Sequence, residues 1–413
     1  MKKAVSIFIM LSFAIAVSFA GEIVLRVWDR LPQMGIVVDM FNSKMKSEGK
    51  DVSAVFELIP YEQQVSKFIA ALGAGRGPDI YSLDLIQYPY FISLGAFLDI
   101  TDHFNSLSFK DELPEGILNL GRYNDRIYAL PYELDLSVLF WNKDLFRKAG
   151  LDPDVAPATW EEMVEFSQKL TLDLDGDGTV DQWGFCEVGS APGEYMFCFL
   201  PFVWNNGGRM FDNTGEVVFN SQETVEALQF WRDLVAKYKV APPASPQWAL
   251  GDVYHSFVAG RIAMFPSGNF HVTPLKQDAP DLDFGVALLP KGKGEYATFG
   301  GGNMIGIVSL TKHPEEAWSF IEFAMSEEAL VEAFAPHMLL VPRPSLYDNE
   351  YYATVPQMME FAKFIEFAVT PYTMKYNEVY DPVLYYIQGA LLGHIDVAEA
   401  VRKCHEEIKR RVE

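Results

Sequence analysis

The stretch GRYNDRIYALPYELDLSVLFWNKDLF, Gly121–Phe146, decides how the chain is organised. Asn124 and Asp125 are typical of a turn, and an apolar approach follows that ends at Pro131. Pro131 has no backbone N–H and a fixed φ, so it suits an edge or a crossing better than the interior of a strand. The apolar run Leu136–Trp141 then predicts a strand.

A short polar and aromatic patch, Tyr132, Glu133 and Asp135, interrupts this predicted strand. A carboxylate in a core needs a partner, so two acids within an apolar strand are unusual there. One interpretation is that the segment carries the chain from one lobe to another, with the patch facing a cleft. The alternative is an ordinary turn followed by a buried strand.

The residues before this stretch alternate between strand and helix patterns. Strands are predicted at Ile23–Trp28, Val52–Leu58 and 80–83, with helices over 36–45 and 61–72 between them. This order predicts βαβ units and a largely parallel sheet, in which ligands bind at the carboxyl ends of the strands. The residues expected at that edge are Trp28, Asp29, Arg30, Leu83 and Asp84; for Trp28, core packing is an equal alternative.

The α/β pattern restarts after the crossing stretch. Thr159–Glu162 is a capping box that predicts a helix, and Ser221 predicts the start of another. A glycine-rich crossing is expected at Thr298–Ile307, and a third, extended crossing at MLLVPRPS, residues 338–345. Because no flexible linker separates the segments, two lobes joined by structured crossings are expected.

The first twenty residues predict a secretory signal peptide. Lys2 and Lys3 precede an apolar segment over 4–17, and small residues at positions 18 and 20 mark a cleavage site near Ala20. No Cys follows the cleavage point, so no lipid anchor is expected. The mature chain should be soluble, because no second long apolar run follows.

Charge and length limit the classes of partner. The net charge is −23, and it becomes −25 when Lys2 and Lys3 are removed. A charge this negative argues against nucleic acid or an anionic membrane as a partner. The chain of 413 residues favours two domains, and 49% apolar residues suffice for large cores.

The cysteines are too few for a disulfide framework. Cys186 and Cys198 either pair in an oxidising compartment or remain buried thiols, and pairing would leave Cys404 free. A search for catalytic patterns finds no G-x-S-x-G, H-E-x-x-H, Walker loop or C-x-x-C, and the seven His are scattered singly. These patterns do not favour an enzyme.

DLDGDGTVD, Asp173–Asp181, matches most of a twelve-residue calcium loop, in which oxygen atoms surround a hard cation. Position 12, normally a bidentate Glu, is Gly184 here, so the loop is expected either to hold a structural Ca²⁺ or to be an Asp/Gly turn. The candidate ligands are Asp173, Asp175, Asp177, the carbonyl of Thr179, and Asp181.

Aromatic residues make up 14% of the chain. An aromatic face packs against the C–H face of a sugar ring, while Asp, Glu, Asn and Arg bond its hydroxyls. Most of the aromatic residues are expected to be core. Candidates for a sugar-binding cleft, because polar and Gly-rich residues surround them, are Tyr132, Trp204, Phe270 and Tyr380.

Several stretches, in order and over nearly all of the mature chain, together resemble the extracellular solute-binding proteins of ABC importers, of the maltose- and oligosaccharide-binding type (family 1). They are AALGAGRGPDIYSLD, YALPYELDLSVLFWNKDLFRKAGLD, PATWEEMVEFSQKLT, DGDGTVDQWGF, NNGGRMFD, FVAGRIAMFPSGNF and KHPEEAWSFIEFAMS.

The resemblance implies a two-lobed periplasmic-binding-protein fold of type II, an α/β fold in which each lobe is a mainly parallel sheet flanked by helices. The implied divisions are a signal peptide over 1–20, an N-terminal lobe over 21–131 and 303–340, a C-terminal lobe over 136–298 and 343–413, and hinge crossings near 131–136, 298–303 and 340–343.

The resemblance also implies which positions face the cleft between the lobes. Glu133 is expected to face away from the cleft, because it alternates with its neighbours. Leu83 and Gln87 replace an aromatic and a basic residue of maltose binders, so the ligand is not expected to be maltose itself. The implied cleft residues are Asp29, Arg30, Asp84, Tyr132, Asp135, Tyr195, Trp204, Phe270, Gly301, Gly302, Asn303, Arg343 and Tyr380.

The implied function is capture of a carbohydrate, expected to be an oligosaccharide, and its delivery to a membrane permease by hinge closure. The protein is expected to be a periplasmic monomer and not an enzyme, with no cofactor for its function. An alternative ligand is a polyol or a glycerol-phosphate-type solute, which would need a cationic cleft. Three residues could supply that positive charge: Arg30, Arg209 and Arg343. A secreted carbohydrate-active enzyme is the remaining alternative.

Overall fold

The computed structural model describes residues 22–212 and 215–412, so the predicted signal peptide over 1–20 lies outside the described residues. The expected α/β fold is confirmed. The strands of the described residues are β1 (Ile23–Asp29), β2 (Val52–Leu58), β3 (Ile80–Asp84), β4 (Arg122–Tyr123), β5 (Arg126–Ile127), β6 (Leu130–Asn142), β7 (Met264–Gly268), β8 (Phe284–Ala287), β9 (Thr298–Ile307) and β10 (Ala368–Val369).

Helices cover both ends of the molecule. They are α1 (Gln33–Ser47), α2 (Gln64–Gly73), α3 (Tyr88–Ser93), α4 (Thr101–Ser106), α5 (Glu115–Leu118), α6 (Lys143–Lys148), α7 (Trp160–Leu170), α8 (Pro192–Trp204), α9 (Gln222–Ala236), α10 (Leu250–Val258), α11 (Val272–Asp278), α12 (Pro314–Ala324), α13 (Glu327–Phe334), α14 (Glu350–Ala353), α15 (Pro356–Phe364), α16 (Asn377–Leu391) and α17 (Val397–Val412). Within the described residues, no helix is both long and apolar enough to cross a membrane.

The predicted helix starts are confirmed. The Thr159 hydroxyl accepts a hydrogen bond from the backbone N–H of Glu162 at the start of α7, and Ser221 caps α9 in the same way. The helix predicted over 61–72 begins with a short 3-10 turn, so α2 itself starts at Gln64.

One large sheet runs through the molecule in the order β2-β1-β3-β9-β6-β7, with β8 beside β6 and β10 beside β9. β1 pairs in parallel with β2 and β3, as the βαβ pattern predicts. β9 runs antiparallel to both β3 and β6. The run of parallel strands β2-β1-β3 therefore ends at β9, one of the two long crossing strands.

β6 is a strand of 13 residues that belongs to two halves of this sheet. Its first half pairs with β9, from Leu130 opposite Ile305 to Leu136 opposite Gly300. Its second half pairs with β7 and β8. The crossing interpretation of the polar strand is thus favoured over a strand confined to one core.

Pro131 lies inside β6, not at an edge. The pairing register of β6 and β9 shifts between Pro131, opposite Met304, and Glu133, opposite Asn303. A bulge of this kind interrupts the ladder, so a residue without a backbone N–H is tolerated there. That Pro131 marks a hinge crossing between the lobes remains a prediction.

Residues far apart in sequence complete the first lobe. Phe41 on α1 packs against Phe320 and Phe323 on α12, with ring centroids 5.1 and 5.8 Å apart. The chain thus returns to cover the sheet of β1–β3 after it has built the second lobe. The core of the second lobe includes Trp231 on α9, whose ring contacts Phe199 and Phe202 of α8.

The third crossing is an extended segment that pairs with β6 at one position. The backbone N–H of Leu134 donates to the carbonyl of Leu340 at 2.9 Å. The cysteines form no disulfide: Cys186, Cys198 and Cys404 are buried, free thiols. The pairing alternative for Cys186 and Cys198 is therefore wrong.

Candidate ligand-binding cleft

A cavity of about 650 Å³ lies between the two lobes, in front of β6 and β9. This volume is in the range of pockets that hold small organic molecules. Arg30 follows β1 and Asp84 ends β3, so first-lobe groups reach the cavity from the carboxyl ends of parallel strands. The cavity is lined by Arg30, Leu31, Tyr61, Asp84, Ile86, Glu133, Asp135, Ala191, Gly193, Glu194, Phe197, Leu250, Phe270, Phe299, Gly301, Gly302, Leu339, Tyr376 and Tyr380.

Arg30 is held within a group of acids on the first-lobe side. Its Nε donates to Oδ1 of Asn303 at 2.5 Å, and Nδ2 of Asn303 donates to Oε2 of Glu133 at 2.5 Å. Burial alone would lower the pKa of Arg30, but the charges of Asp84, Glu133 and Asp135 raise it. The guanidinium therefore remains charged and is fixed in orientation by Asn303.

Burial has the opposite effect on the three acids around Arg30: it raises their pKa values, because it disfavours the charged carboxylate. Burial raises the pKa of Asp84 and of Asp135, and the charge of Arg30 partly offsets both shifts. The pKa of Glu133 lies well above its usual range, first because of burial and then because Asp135 is close. These carboxyls can accept hydrogen bonds when ionised, and can also donate when protonated.

Aromatic rings form the second-lobe wall. Phe197 on α8 lies between Phe270 and Phe299, with ring centroids 5.8 and 5.4 Å away. Phe270 is 38% exposed, which leaves part of its ring free to meet a ligand. Tyr380 on α16 packs edge-on against Tyr376, 5.4 Å between centroids. The cavity thus joins ionisable groups from one lobe to ring faces from the other.

The structure brings many of the predicted cleft residues together, and their contact with a ligand remains a prediction. Asp29, Tyr132 and Asn303 lie beneath the cavity surface instead of lining it. The predicted residues that line the cavity are Arg30, Asp84, Asp135, Phe270, Gly301, Gly302 and Tyr380.

Tyr132 and Asp29 form a buried pair that supports the floor. The Tyr132 hydroxyl donates to Oδ2 of Asp29 at 2.7 Å and accepts from Oγ of Ser82 at 2.9 Å. Burial raises the pKa of Asp29 to about 6, despite its hydrogen bonds to Leu31 N–H and Tyr132. The pair positions the end of β1, from which Arg30 enters the cavity.

The expectation that Glu133 faces away is wrong. Glu133 and Asp135 both line the cavity, whereas Tyr132 and Leu134 point into the protein. Residues two apart share one face of a strand, so Glu133 belongs with Asp135 and not with Tyr132. Tyr132 and Asp135 are three residues apart, so they lie on opposite faces of the strand and do not line the cleft together.

Three predicted residues lie elsewhere. Tyr195 is fully buried in the second-lobe core, 5.5 Å from the ring of Trp231. Trp204 stacks on Phe299 at 5.8 Å and borders a different cavity. Arg343 pairs with Glu112 at 3.3 Å, which ties the third crossing to the first lobe.

Several residues that line the cavity are not among those that the sequence predicts. Tyr61 follows β2 at the carboxyl edge of the parallel strands, and that rule could have identified it. The residues on α8 and β9 carry no comparable local signal, because only the approach of the lobes turns them toward the ligand space. The missed ionisable and aromatic residues are Tyr61, Glu133, Glu194, Phe197, Phe299 and Tyr376.

In the loop Asp173–Asp181, aspartate side chains accept hydrogen bonds from backbone N–H groups of the same loop. Carboxylate oxygens of Asp173, Asp175 and Asp177 lie within 4.8 Å of one another. Asp173 accepts from the N–H groups of Gly176 and Gly178, at 2.7 and 2.8 Å. The donor set suits a hard cation, but the loop lacks the usual last carboxylate.

Gly184 occupies the position where that last carboxylate would stand. A Cβ there would lie 2.2 Å from the carbonyl oxygen of Ser167, so no side chain fits. A cation in this loop would therefore need another oxygen ligand, such as water.

Comparison with known proteins gives consistent results. The family model described as "Bacterial extracellular solute-binding protein" matches residues 34–331. An arabinooligosaccharide-binding protein of Halalkalibacterium halodurans is 24% identical over 76% of this chain and 70% of its own length.

Solved structures of similar proteins share the fold. The sugar-binding protein MalE from Xanthomonas citri superposes with a TM-score of 0.83 at 20% identity, covering 94% of this chain and 97% of that one. A cyclic alpha-maltosyl-1,6-maltose binding protein from Arthrobacter globiformis gives 0.81 at 22% identity, covering 95% and 99%.

Proposed function

Since the chain belongs to the bacterial extracellular solute-binding protein family, we propose that it is the substrate-binding component of an ABC importer. It captures a carbohydrate, an oligosaccharide, in the cleft between its lobes and delivers it to the membrane permease. The observation that carries the proposal is the cavity itself, where Arg30, Asp84, Glu133 and Asp135 face aromatic rings of the other lobe.

The lining suits a sugar because it offers both kinds of contact that a sugar needs. Ring faces such as those of Phe270 and Tyr380 pack against the apolar C–H face. The carboxylates and Arg30 bond hydroxyls in the plane of the sugar ring. Gly301 and Gly302 on β9 allow the ligand to approach the strand backbone closely.

Hinge closure provides the mechanism. A ligand that contacts both lobes binds the closed form more tightly, and it shifts the equilibrium by that difference in affinity. β6 and β9 form the floor of the cavity and also join the lobes, so the pivot lies directly below the ligand. The permease then meets a surface that only the closed form presents.

The charge of the cavity disfavours the glycerol-phosphate alternative. Arg209 borders another cavity and Arg343 is paired with Glu112, so neither supplies the cationic cleft that a phosphate needs. Within the part of the chain that the structure describes, Arg30 is the only basic residue that lines the cleft cavity, and three acids surround it. A neutral or cationic ligand fits this balance better than an anion.

The cellular setting is part of the same proposal. The protein is exported by its N-terminal signal peptide, cleaved near Ala20, and acts in the periplasm as a monomer. It binds its sugar without turning it over. A purified mature chain of monomeric mass, and a precursor processed after Ala20, would support this setting.

A thermal-shift screen tests the proposed function. Mono- and oligosaccharides, polyols and phosphate esters are added separately, and a carbohydrate is expected to raise the melting temperature, because it binds only the folded state. The same ligand should reduce the radius of gyration in X-ray scattering, with no product formed. Product in excess of protein would make the chain an enzyme, and a response to phosphate esters alone would favour the alternative ligand.

We also propose that the loop Asp173–Asp181 binds a structural Ca²⁺. Calcium at about 100 times its Kd should add about 2.7 kcal/mol to the free energy of unfolding, and a chelator should remove that gain. Asp177→Asn should abolish the calcium response and leave the chelator without effect. Equal melting temperatures of the wild type with calcium and with chelator would show that no structural Ca²⁺ stabilises the protein.

A further inference from the structure

Acids outnumber bases in the cleft cavity. Asp84, Glu133 and Asp135 surround Arg30 on the first-lobe side, and Glu194 on α8 adds a fourth carboxyl from the second lobe. Arg30 already directs its Nε to Asn303, and no other basic residue among residues 22–212 and 215–412 lines the cavity. One guanidinium therefore stands against four carboxyls.

This imbalance is costly where water is scarce. Glu133 is 2% exposed, and its Oε2 accepts from Asn303, which is an uncharged partner. Arg30 is the counter-charge that Glu133 shares with Asp84 and Asp135, and a buried carboxylate that one shared charge does not balance must be compensated by protonation or by a further cation. Burial raises the pKa values of Glu133 and Asp135, and a neighbouring acid adds to each shift: Asp135 acts on Glu133, and Asp84 acts on Asp135.

Closure makes the imbalance worse. Glu194 lines the same cavity from the opposite lobe, and its Oε2 accepts a hydrogen bond from the backbone N–H of Leu250 at 2.9 Å. Bringing the lobes together moves this carboxyl toward the three first-lobe acids and removes water from between them. Like charges in such a site repel, and a cation brought by the ligand relieves this repulsion while the acids stay ionised.

We propose that the ligand is an amino sugar, whose protonated amine lies between the first-lobe acids and Glu194 while its ring packs on the aromatic wall. This inference rests on the proposed function and specifies its ligand class. The ring of Tyr61 already lies 5.3 Å from the Arg30 guanidinium and is 49% exposed, so it can also take a ligand cation on its face. The ammonium supplies the counter-charge that closure lacks.

Calorimetry with matched sugars tests the proposal. The neutral oligosaccharide with the largest thermal shift is compared with its 2-amino and 6-amino derivatives at neutral pH. At least one amino derivative should bind at least tenfold more tightly than the neutral parent. High salt should reduce that advantage, because it screens charge attraction.

Matched variants identify the acids responsible. Glu133→Gln keeps an oxygen acceptor for Asn303 but cannot ionise beside a ligand amine, so it should reduce the preference for the amine without abolishing binding of the neutral sugar. Asp135→Asn is a second variant if the first folds poorly. Glu115→Gln, which changes the net charge equally but lies at another cavity, should keep the full preference.

The outcomes separate the two proposals. Neutral parents that bind as tightly as every amino derivative would overturn the amino-sugar inference and leave the proposed function standing. A thermal screen in which neither neutral nor amino sugars bind would overturn both. A preference for the amine that Glu133→Gln and Asp135→Asn leave unchanged would also contradict this placement of the cation.

Discussion

Trp204→Ala is expected to lower the free energy of unfolding of the ligand-free protein by about 3–5 kcal/mol, the usual cost of removing a large buried aromatic ring. Trp204 is 3% exposed and stacks on Phe299 at 5.8 Å with 24° between the ring planes. Its loss leaves a void behind the ring that forms part of the cleft wall. Urea denaturation of the ligand-free variant measures the change.

Phe270→Ala is the matched comparison. Phe270 is 38% exposed at the cavity, so its removal should change stability by about 1 kcal/mol or less. The same variant should lose most of the thermal shift that the sugar causes, because a ring face for stacking is gone. If Trp204→Ala instead kept its stability and lost only the sugar response, Trp204 would be a ligand contact.

Gly302→Ala is expected to destabilise the protein by roughly 3 kcal/mol or more, since strain from a left-handed backbone adds to overpacking. Gly302 has φ +119°, and a Cβ there would lie 2.2 Å from the carbonyl oxygen of Glu133. The clash falls where β9 passes the bulge of β6, so the two crossing strands would have to separate. Equilibrium unfolding of the ligand-free protein tests this expectation.

Gly301→Ala provides the control one residue away. A Cβ at Gly301 would lie 3.4 Å from Cβ of Asp135 and 3.8 Å from the ring of Phe197, which is close to ordinary contact. Its stability should stay within about 1 kcal/mol of the wild type. Ligand affinity is expected to fall, because the methyl group enters the cavity. Equal destabilisation by both substitutions would show that the crossing tolerates no side chain at either site.

These two pairs of variants test one feature of the protein: the strands that join the lobes also form the floor of the binding cavity. On β6 and β9, Glu133 lies opposite Asn303, Leu134 opposite Gly302 and Asp135 opposite Gly301. A ligand on this floor contacts the strands about which the lobes move. Binding and closure are therefore coupled through neighbouring residues instead of through a long pathway.

The sequence by itself determined the secondary structure and its order, because these depend on local patterns. Apolar periodicity located β1–β3 and the helices between them, and capping residues located the starts of α7 and α9. The rule that ligands meet the carboxyl ends of parallel strands placed Arg30 and Asp84 at the cavity. The polar interruption of β6 marked the crossing.

Only the tertiary structure decided which side chains share the cleft. Phe197 and Glu194 on α8 meet Arg30 only because the lobes face each other, and no local pattern encodes that approach. Trp204 has the composition of a sugar-stacking residue, yet it packs behind Phe299. An aromatic ring is equally suited to a core and to a sugar, so its role depends on whether the folded chain leaves one face uncovered.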